Sequence, residues 1–382
     1  MFAHVSTTLA ELGSRICGSD VHEPLNLTPL RSKSSLNMEN QVTRDNHYVP
    51  QSYLRRWSSE KEKVWVSRLL VPDSRMPLWK LASIRGIAKH QNLYTRVVTE
   101  SDSDEIERWL NEGFETPAQA SIDRAVMEQE LTESDWITII RFVAAQDART
   151  PARLQENMKR WQRDLQSTID EVLENAVRKL REAQKTGVRL ASSKHPYADY
   201  FPIKVVKEIL PDAESGTLQV QTIAGRGLWL FSLKHVLTNT LKVLHNHKWT
   251  ILHCPSDMAW MTSDNPVVKL NFHSPQDYSF NGGWGSKGTE IFMPLSPKHL
   301  LYARVGFCPP AHGTVLSEEL AHWFQRFIVG NAYRFIFAAK PDERLLHIRQ
   351  RHVSAEAYAS EIKQWANWHD EQRRAELDLL RR

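Results

Sequence analysis

The chain has 382 residues, 41% hydrophobic and 25% charged, with 49 basic against 45 acidic side chains and a formal net charge of +4 at pH 7. Mean hydropathy is −0.47, and no apolar run approaches the roughly 20 residues a bilayer helix needs, which excludes a membrane-spanning segment. The small basic surplus permits an anionic partner without demanding nucleic acid. Three cysteines (Cys17, Cys254, Cys308) without paired ligand spacing argue against a disulfide framework and for a reducing, cytoplasmic setting.

Residues 1–44 show neither helical nor strand period and no secretory-signal pattern, and read as a poorly ordered leader with Met38 as an alternative true start. Residues 45–102 read as a motif loop, a short helix and a strand. Tyr53, Leu54 and Trp57 fall at helical spacing after Pro50, and Val64, Val66 and Arg68 then alternate with Trp65, Ser67 and Leu69. From 103 to 190 the period is helical. Ile106, Trp109, Leu110, Ala118, Ile122 and Ala125 share a stripe, with a break expected at Pro117. Thr132 and Asp135 form a capping box for a helix carrying Trp136, Ile139, Ile140 and Val143. After Pro151 a third stripe runs through Leu154, Met158, Trp161, Leu165, Ile169, Val172, Ala176 and Leu180.

The 191–340 region mixes types. It holds a helix over 228–245, another capped by Ser317, and short β-rich runs at KWTILHCP, MAWMTSD, TEIFMPL, HLLYARV and 333–339. Residues 341–382 read as a charged C-terminal helix with Trp365 and Trp368. The class is α+β, a helical bundle subdomain packed on a mixed, largely antiparallel sheet.

Four stretches place polar residues where neither period nor turn chemistry asks for them. They are 45–51 (DNHYVPQ), 146–151 (QDARTP), 262–266 (TSDNP), and Glu107 with Glu115, eight apart on a helix. Each has a plain structural reading as turn, cap or solvated face. Together they have the composition of a polar pocket. His47 can act as acid or base near neutral pH, Arg149 can fork onto an anion, and Asp264 can orient the base or bind a cation. Gln51, Gln146 and Asn265 are the matching substrate-positioning candidates. Rival motifs are weaker. His245, His247, His253 and Cys254 lack metal-ligand spacing. The Gly282–Gly288 loop lacks a phosphate-cradle order, Gly225 and Gly227 lack a third glycine, and Ser263 lacks a nucleophile-elbow setting. Metal ligands are therefore left unassigned.

The ordered blocks HYVPQSYLRRW, IERWLNEGFETPA, FVAAQDARTPAR, WTILHCPSDMAWMTSDNPV, FMPLSPKHLLYAR and VGNAYRFIFA resemble the family called domain of unknown function 4238, over 47–339. The family's H-Y-V-P-x-x-Y-L, Q-x-x-R-T-P, T-S-D-N-P and P-L-S-P blocks correspond to 47–57, 146–151, 262–266 and 294–297, followed by Asn331. Trp57 stands where Phe is usual. The resemblance brings no activity, but it implies that the polar blocks form one signature. The 45–52 run is also similar to the D-H-I-V-P-Q-S run of HNH nucleases, in which histidine activates water and an acid helps bind a divalent ion. Here one residue separates Asp45 from His47, and no ligand Asn or His follows at short spacing.

The expectation is a hydrolase, nuclease-like, with His47, Arg149 and Asp264 in catalysis. It would use Mg2+ or Mn2+ on a phosphate-bearing substrate or nucleic acid, a chemistry that would suit bacterial-type defence or toxin biology. The alternative is a non-catalytic binding or interaction module whose polar blocks are structural. The enzymatic expectation requires His47, Arg149 and Asp264 to meet in one solvent-reachable hollow.

Overall fold

Strand alternation in the C-terminal half sorts side chains into two cores. Trp249–His253, His299–Arg304, Glu290–Pro294, Val268–Ser274 and Asp277–Ser279 lie in that order in a five-stranded antiparallel sheet. Ile251, Ile291, Met293 and Leu301 point into the larger hydrophobic cluster, whereas Leu252, Phe292, Leu300 and Tyr302 point into a second one. The two central strands are therefore apolar on both faces and read as continuous runs, not as alternation. The second core is closed by the Glu318–Asn331 helix, capped by Ser317 and contributing Ala321, Phe327 and Ile328.

The computed structural model describes residues 4–9, 43–58, 60, 62–98, 101–188, 202–209 and 216–381. Most of the expected leader, Met38 included, lies outside them. His4–Leu9, where the sequence shows no strand period, pairs antiparallel with Gly216–Ile223, which pairs in turn with Ile203–Ile209. A four-stranded antiparallel sheet runs Thr262–Ser263, Phe335–Ala338, Lys63–Arg68, Lys80–Ser83. Of the MAWMTSD run, only Thr262–Ser263 pairs as strand. The fold class is α+β, as expected, and the sheets are mostly antiparallel.

The helices follow their predicted faces, with two adjustments. Pro117 does not break its helix. Glu105–Leu110 widens into a π-turn at Asn111–Glu115 and continues as Thr116–Val126, with Pro117 in the first turn, where its missing N–H is harmless. A second π-turn, Val236–Thr240, links Arg226–His235 to Lys242–His245, while Leu230, Leu233, Leu237, Leu241 and Leu244 stay buried. The Glu133–Ala148 helix starts with the expected capping box. Pro151–Thr186 buries Leu154, Trp161, Leu165, Ile169 and Leu173, but Val172 and Leu180 are exposed. At 36 residues, roughly 54 Å, that helix outruns the core it packs on. The larger core takes residues from Tyr48 through Trp368, so the segments distinguished in the sequence share one interior.

Candidate functional site

The first polar block is an edge. Asp45–His47 pairs antiparallel with Lys89–Gln91, and Pro50 then turns the chain into Gln51–Leu54. The other blocks close on this edge from behind. Arg149, only 1% exposed, donates from Nη2 to the His47 carbonyl, pairs through Nη1 with the Glu115 carboxylate, and donates from Nε to the Tyr94 hydroxyl at 3.2 Å. Tyr94 Oη returns a hydrogen bond to the Arg149 carbonyl at 2.7 Å. Gln146 Nε2 donates to the Tyr48 carbonyl at 2.6 Å. Thr150 caps the following helix and donates to Asn265 Oδ1 at 3.1 Å, while Asn265 and Asn331 exchange amide-to-carbonyl bonds of 3.0 and 2.8 Å.

Glu107 and Glu115 meet opposite Arg149 because of the π-turn between them. Eight residues of regular helix would leave the pair about 80° out of line; a turn that absorbs one extra residue reduces this to about 20°. The Gly113 carbonyl in the widened turn accepts from Arg141 Nη2 at 3.1 Å. Burial pushes the Glu107 carboxyl up to about 7, with Arg149 pulling down and Glu115 and Asp104 pushing up. Its Oε2 is buried without a hydrogen-bond partner.

A raised value means that the folded state holds this proton more tightly than the unfolded chain does. The stability it contributes is full below about 4.5 and is lost as pH rises through about 7. Glu107→Gln should accordingly stabilise the protein by about 3 kcal/mol at pH 8 and by less than about 1 kcal/mol at pH 5 in denaturant melts. A variant weaker than the parent at pH 8 contradicts this.

Asp264 is 1% exposed and anchors a turn. Its Oδ1 accepts from Tyr333 N at 2.8 Å and its Oδ2 from Arg334 N at 2.7 Å. Burial raises its carboxyl to about 6 despite these donors. Asp147, in the second block, is buried against Arg153 at 2.6 Å, Lys269 at 2.9 Å and Trp284 Nε1 at 2.8 Å. This explains the glycine-rich loop. A Cβ at Gly282 would lie 2.9 Å from the Lys269 carbonyl oxygen, so glycine lets the loop lie flat and deliver Trp284 to Asp147.

The blocks therefore converge in one network, but Arg149 and Asp264 are sealed within it. Burial lowers the pKa of the His47 ring, with a hydrogen bond to the Arg85 backbone and the charge of Asp45 acting the other way and that of Lys89 adding to it, and its Nε2 has no partner. Gln51 is half-buried, and its side chain makes no hydrogen bond among the described residues.

Open space lies beside the network. A cleft of about 230 Å3 is lined by Tyr48, Arg68, His90, Tyr333, Arg334, Tyr358, Glu361 and Trp365. His90 and Trp365 stack at 3.7 Å and also wall a neighbouring hollow of about 350 Å3 with Asp45, Lys89 and His369. Arg334 pairs with Glu361 at 2.6 Å and Lys89 with Asp45 at 2.5 Å, whereas Arg68 forms no ion pair among the described residues. The polar blocks thus fix the cleft walls: Gln146 and Arg149 hold the His47–Tyr48 backbone, and Asp264 holds the backbone of Tyr333 and Arg334. Sequence reasoning reaches Tyr48 through its block. It misses His90 and Arg68, which carry no local signal, and takes Trp365 for a plain helix residue.

These features define an α+β protein in which a buried polar frame backs an aromatic, cation-edged cleft. The chain belongs to the DUF4238 family, described as protein of unknown function, whose pattern matches residues 45–342. No curated protein and no solved structure matches it. No helix among the described residues is long and apolar enough to cross a membrane.

Proposed function

We propose that this protein is a binding module for a small phosphate-bearing ligand with an aromatic face, a mononucleotide being the simplest case, and that its polar blocks are the frame of the site. The observation that carries this reading is the division of labour around the cleft. Motif side chains are consumed in holding backbone, and the cleft they frame is lined mainly by aromatic rings, beside the Arg334–Glu361 pair and Arg68, whose guanidinium lies 5.1 Å over the Phe335 ring without an ion-pair partner among the described residues. Ring faces supply stacking and a guanidinium supplies forked donors to phosphate, neither of which requires chemistry at the site.

One observation favours a catalytic version. Burial lowers the pKa of the His47 imidazole, which favours its neutral form, and its buried Nε2 has no partner, so a substrate or water that reached it would meet a free lone pair of the kind a general base in a nuclease-like hydrolase needs. Mg2+ or Mn2+ would then assist by polarising a phosphoryl oxygen.

Titration calorimetry of the full chain with AMP, GMP, CMP and UMP tests the binding reading, with adenosine and inorganic phosphate as controls. At least one nucleotide should bind in the range of about 1–100 μM and about tenfold more tightly than either control. Arg68→Ala and Trp365→Ala should each weaken it by roughly tenfold. Nucleotides that bind no better than phosphate remove the proposal. In the same preparations, hydrolysis of nucleotides, DNA or RNA with Mg2+ or Mn2+ that disappears in His47→Ala would establish the catalytic version. Hydrolysis equal in both proteins, or none, discards it.

A further inference from the structure

We infer that Glu128, His253 and His299 form a binding site for a divalent transition metal of the zinc class, separate from the polar frame. His253 and His299 are direct cross-strand partners at the ends of Trp249–His253 and His299–Arg304, so their rings share one face of the sheet. The rings meet edge-on with centroids 4.8 Å apart. Glu128 Oε1 lies 3.8 Å from His253 Nδ1 and 3.6 Å from His299 Nε2, and the three donor atoms all fall within 4.8 Å of one another. Ligands on tetrahedral zinc sit about 3.4 Å apart, so small side-chain adjustments close this set on an ion.

Two further observations point to a ligand. His299 Nε2 is buried without a hydrogen-bond partner, and Ser296 Oγ holds the opposite ring nitrogen, Nδ1, at 2.8 Å. A metal-bound imidazole needs that outer contact, since it fixes which nitrogen faces the ion. Glu128 supplies the second. It follows Met127 at the end of the Thr116–Val126 helix, with Glu128 N bonded to Ala125 O at 3.3 Å and Gln129 N to Arg124 O at 3.0 Å. This pattern of helix termination ordinarily places glycine at the left-handed position, yet here an L side chain occupies it at φ 57°. A residue held in a disfavoured conformation while its carboxylate faces two imidazoles suits a ligand better than a helix stop.

The donor set is two imidazoles and one carboxylate, which fits zinc, cobalt or iron(II) over the oxygen-preferring Mg2+ and Ca2+. Three protein ligands with an exposed carboxylate leave a further coordination position to water. The sequence hides the site because its members lie on a helix terminus and two strands, 125 and 46 residues apart. Cys254, the neighbour that suggests a sequence-local cluster, instead directs its thiol to the Met258 carbonyl.

The test uses the full chain stripped with a chelator, then titrated with Zn2+ by calorimetry and followed by thermal melts. One Zn2+ per chain should bind and raise Tm by roughly 3–5 °C at about a hundredfold excess over Kd. Co2+ should give the visible bands of a four-coordinate nitrogen–oxygen site without thiolate charge transfer. Glu128→Gly removes a ligand and relieves the left-handed backbone. It should leave the metal-free Tm equal or higher while abolishing the Zn2+-induced rise and weakening binding at least tenfold. His253→Ala with His299→Ala should bind no stoichiometric Zn2+. Wild-type Zn2+ affinity in Glu128→Gly, thiolate absorption with Co2+, or no binding by the parent chain would each overturn the site.

Discussion

Arg149→Ala should lower stability by about 3–5 kcal/mol at pH 8, the largest loss expected from any substitution in the polar frame. Three groups lose their donor at once: the His47 carbonyl, the Glu115 carboxylate and the Tyr94 hydroxyl. The side chain is 1% exposed, so the groups it leaves behind are out of reach of bulk water. Arg149 also draws the Glu107 carboxyl downward to about 7 against burial. Without it Glu107 titrates higher, so the penalty of ionising it in the folded state grows above neutrality. The deficit of Arg149→Ala should thus be smaller at pH 5 than at pH 8, by roughly 1–2 kcal/mol. Arg149→Lys, which keeps the charge but not the fork, should fall between the two proteins. Urea melts at both pH values decide. A variant within about 1 kcal/mol of the parent at each pH would mean that Arg149 does not hold the blocks together.

Asp264→Ala should cost about 3 kcal/mol at pH 5, with the opposite pH trend. The substitution strips the acceptors from two backbone N–H groups, those of Tyr333 and Arg334, which the two carboxyl oxygens hold at 2.8 and 2.7 Å. The folded-state value of about 6 lies above the ordinary 3.8, so the stability this titration contributes is complete below about 3.8 and lost as pH rises through about 6. The alanine variant lacks that dependence. Its deficit should therefore shrink by about 1 kcal/mol between pH 5 and pH 7.5, whereas that of Arg149→Ala widens. Because the Tyr333–Arg334 backbone forms a cleft wall, nucleotide affinity should fall with it. Unchanged stability at pH 5 would show that the turn closes without the carboxylate.

Much of this architecture can be read from residue order. Leu230, Leu233, Leu237, Leu241 and Leu244 announce a helix, and Thr132 with Asp135 announces its neighbour's start, because both signals are local. The polar blocks are legible for a related reason: buried polar side chains break the apolar period around them. What they do is less legible, since a side chain that holds a backbone carbonyl and one that holds a substrate have the same composition. Arg149 illustrates this, its partners lying 34, 55 and 102 residues away. His90 and Arg68 are silent in the sequence because exposed or stacked polar residues on short strands are ordinary. The Glu128, His253 and His299 group is invisible for a topological reason. Strand pairing creates it, and register is not written beside either histidine.

The widened helical turn at Asn111–Glu115 also bears on how this gene can tolerate length change. Loss of a single codon within that turn would restore ordinary winding and still leave both carboxylates opposite the guanidinium. The same loss a turn further on, inside the regular Thr116–Val126 stretch, would swing every later side chain by about 100° and unseat Ile122 and Ala125 from the interior. Insertions and deletions among homologous genes should accordingly collect at the first place and be absent from the second.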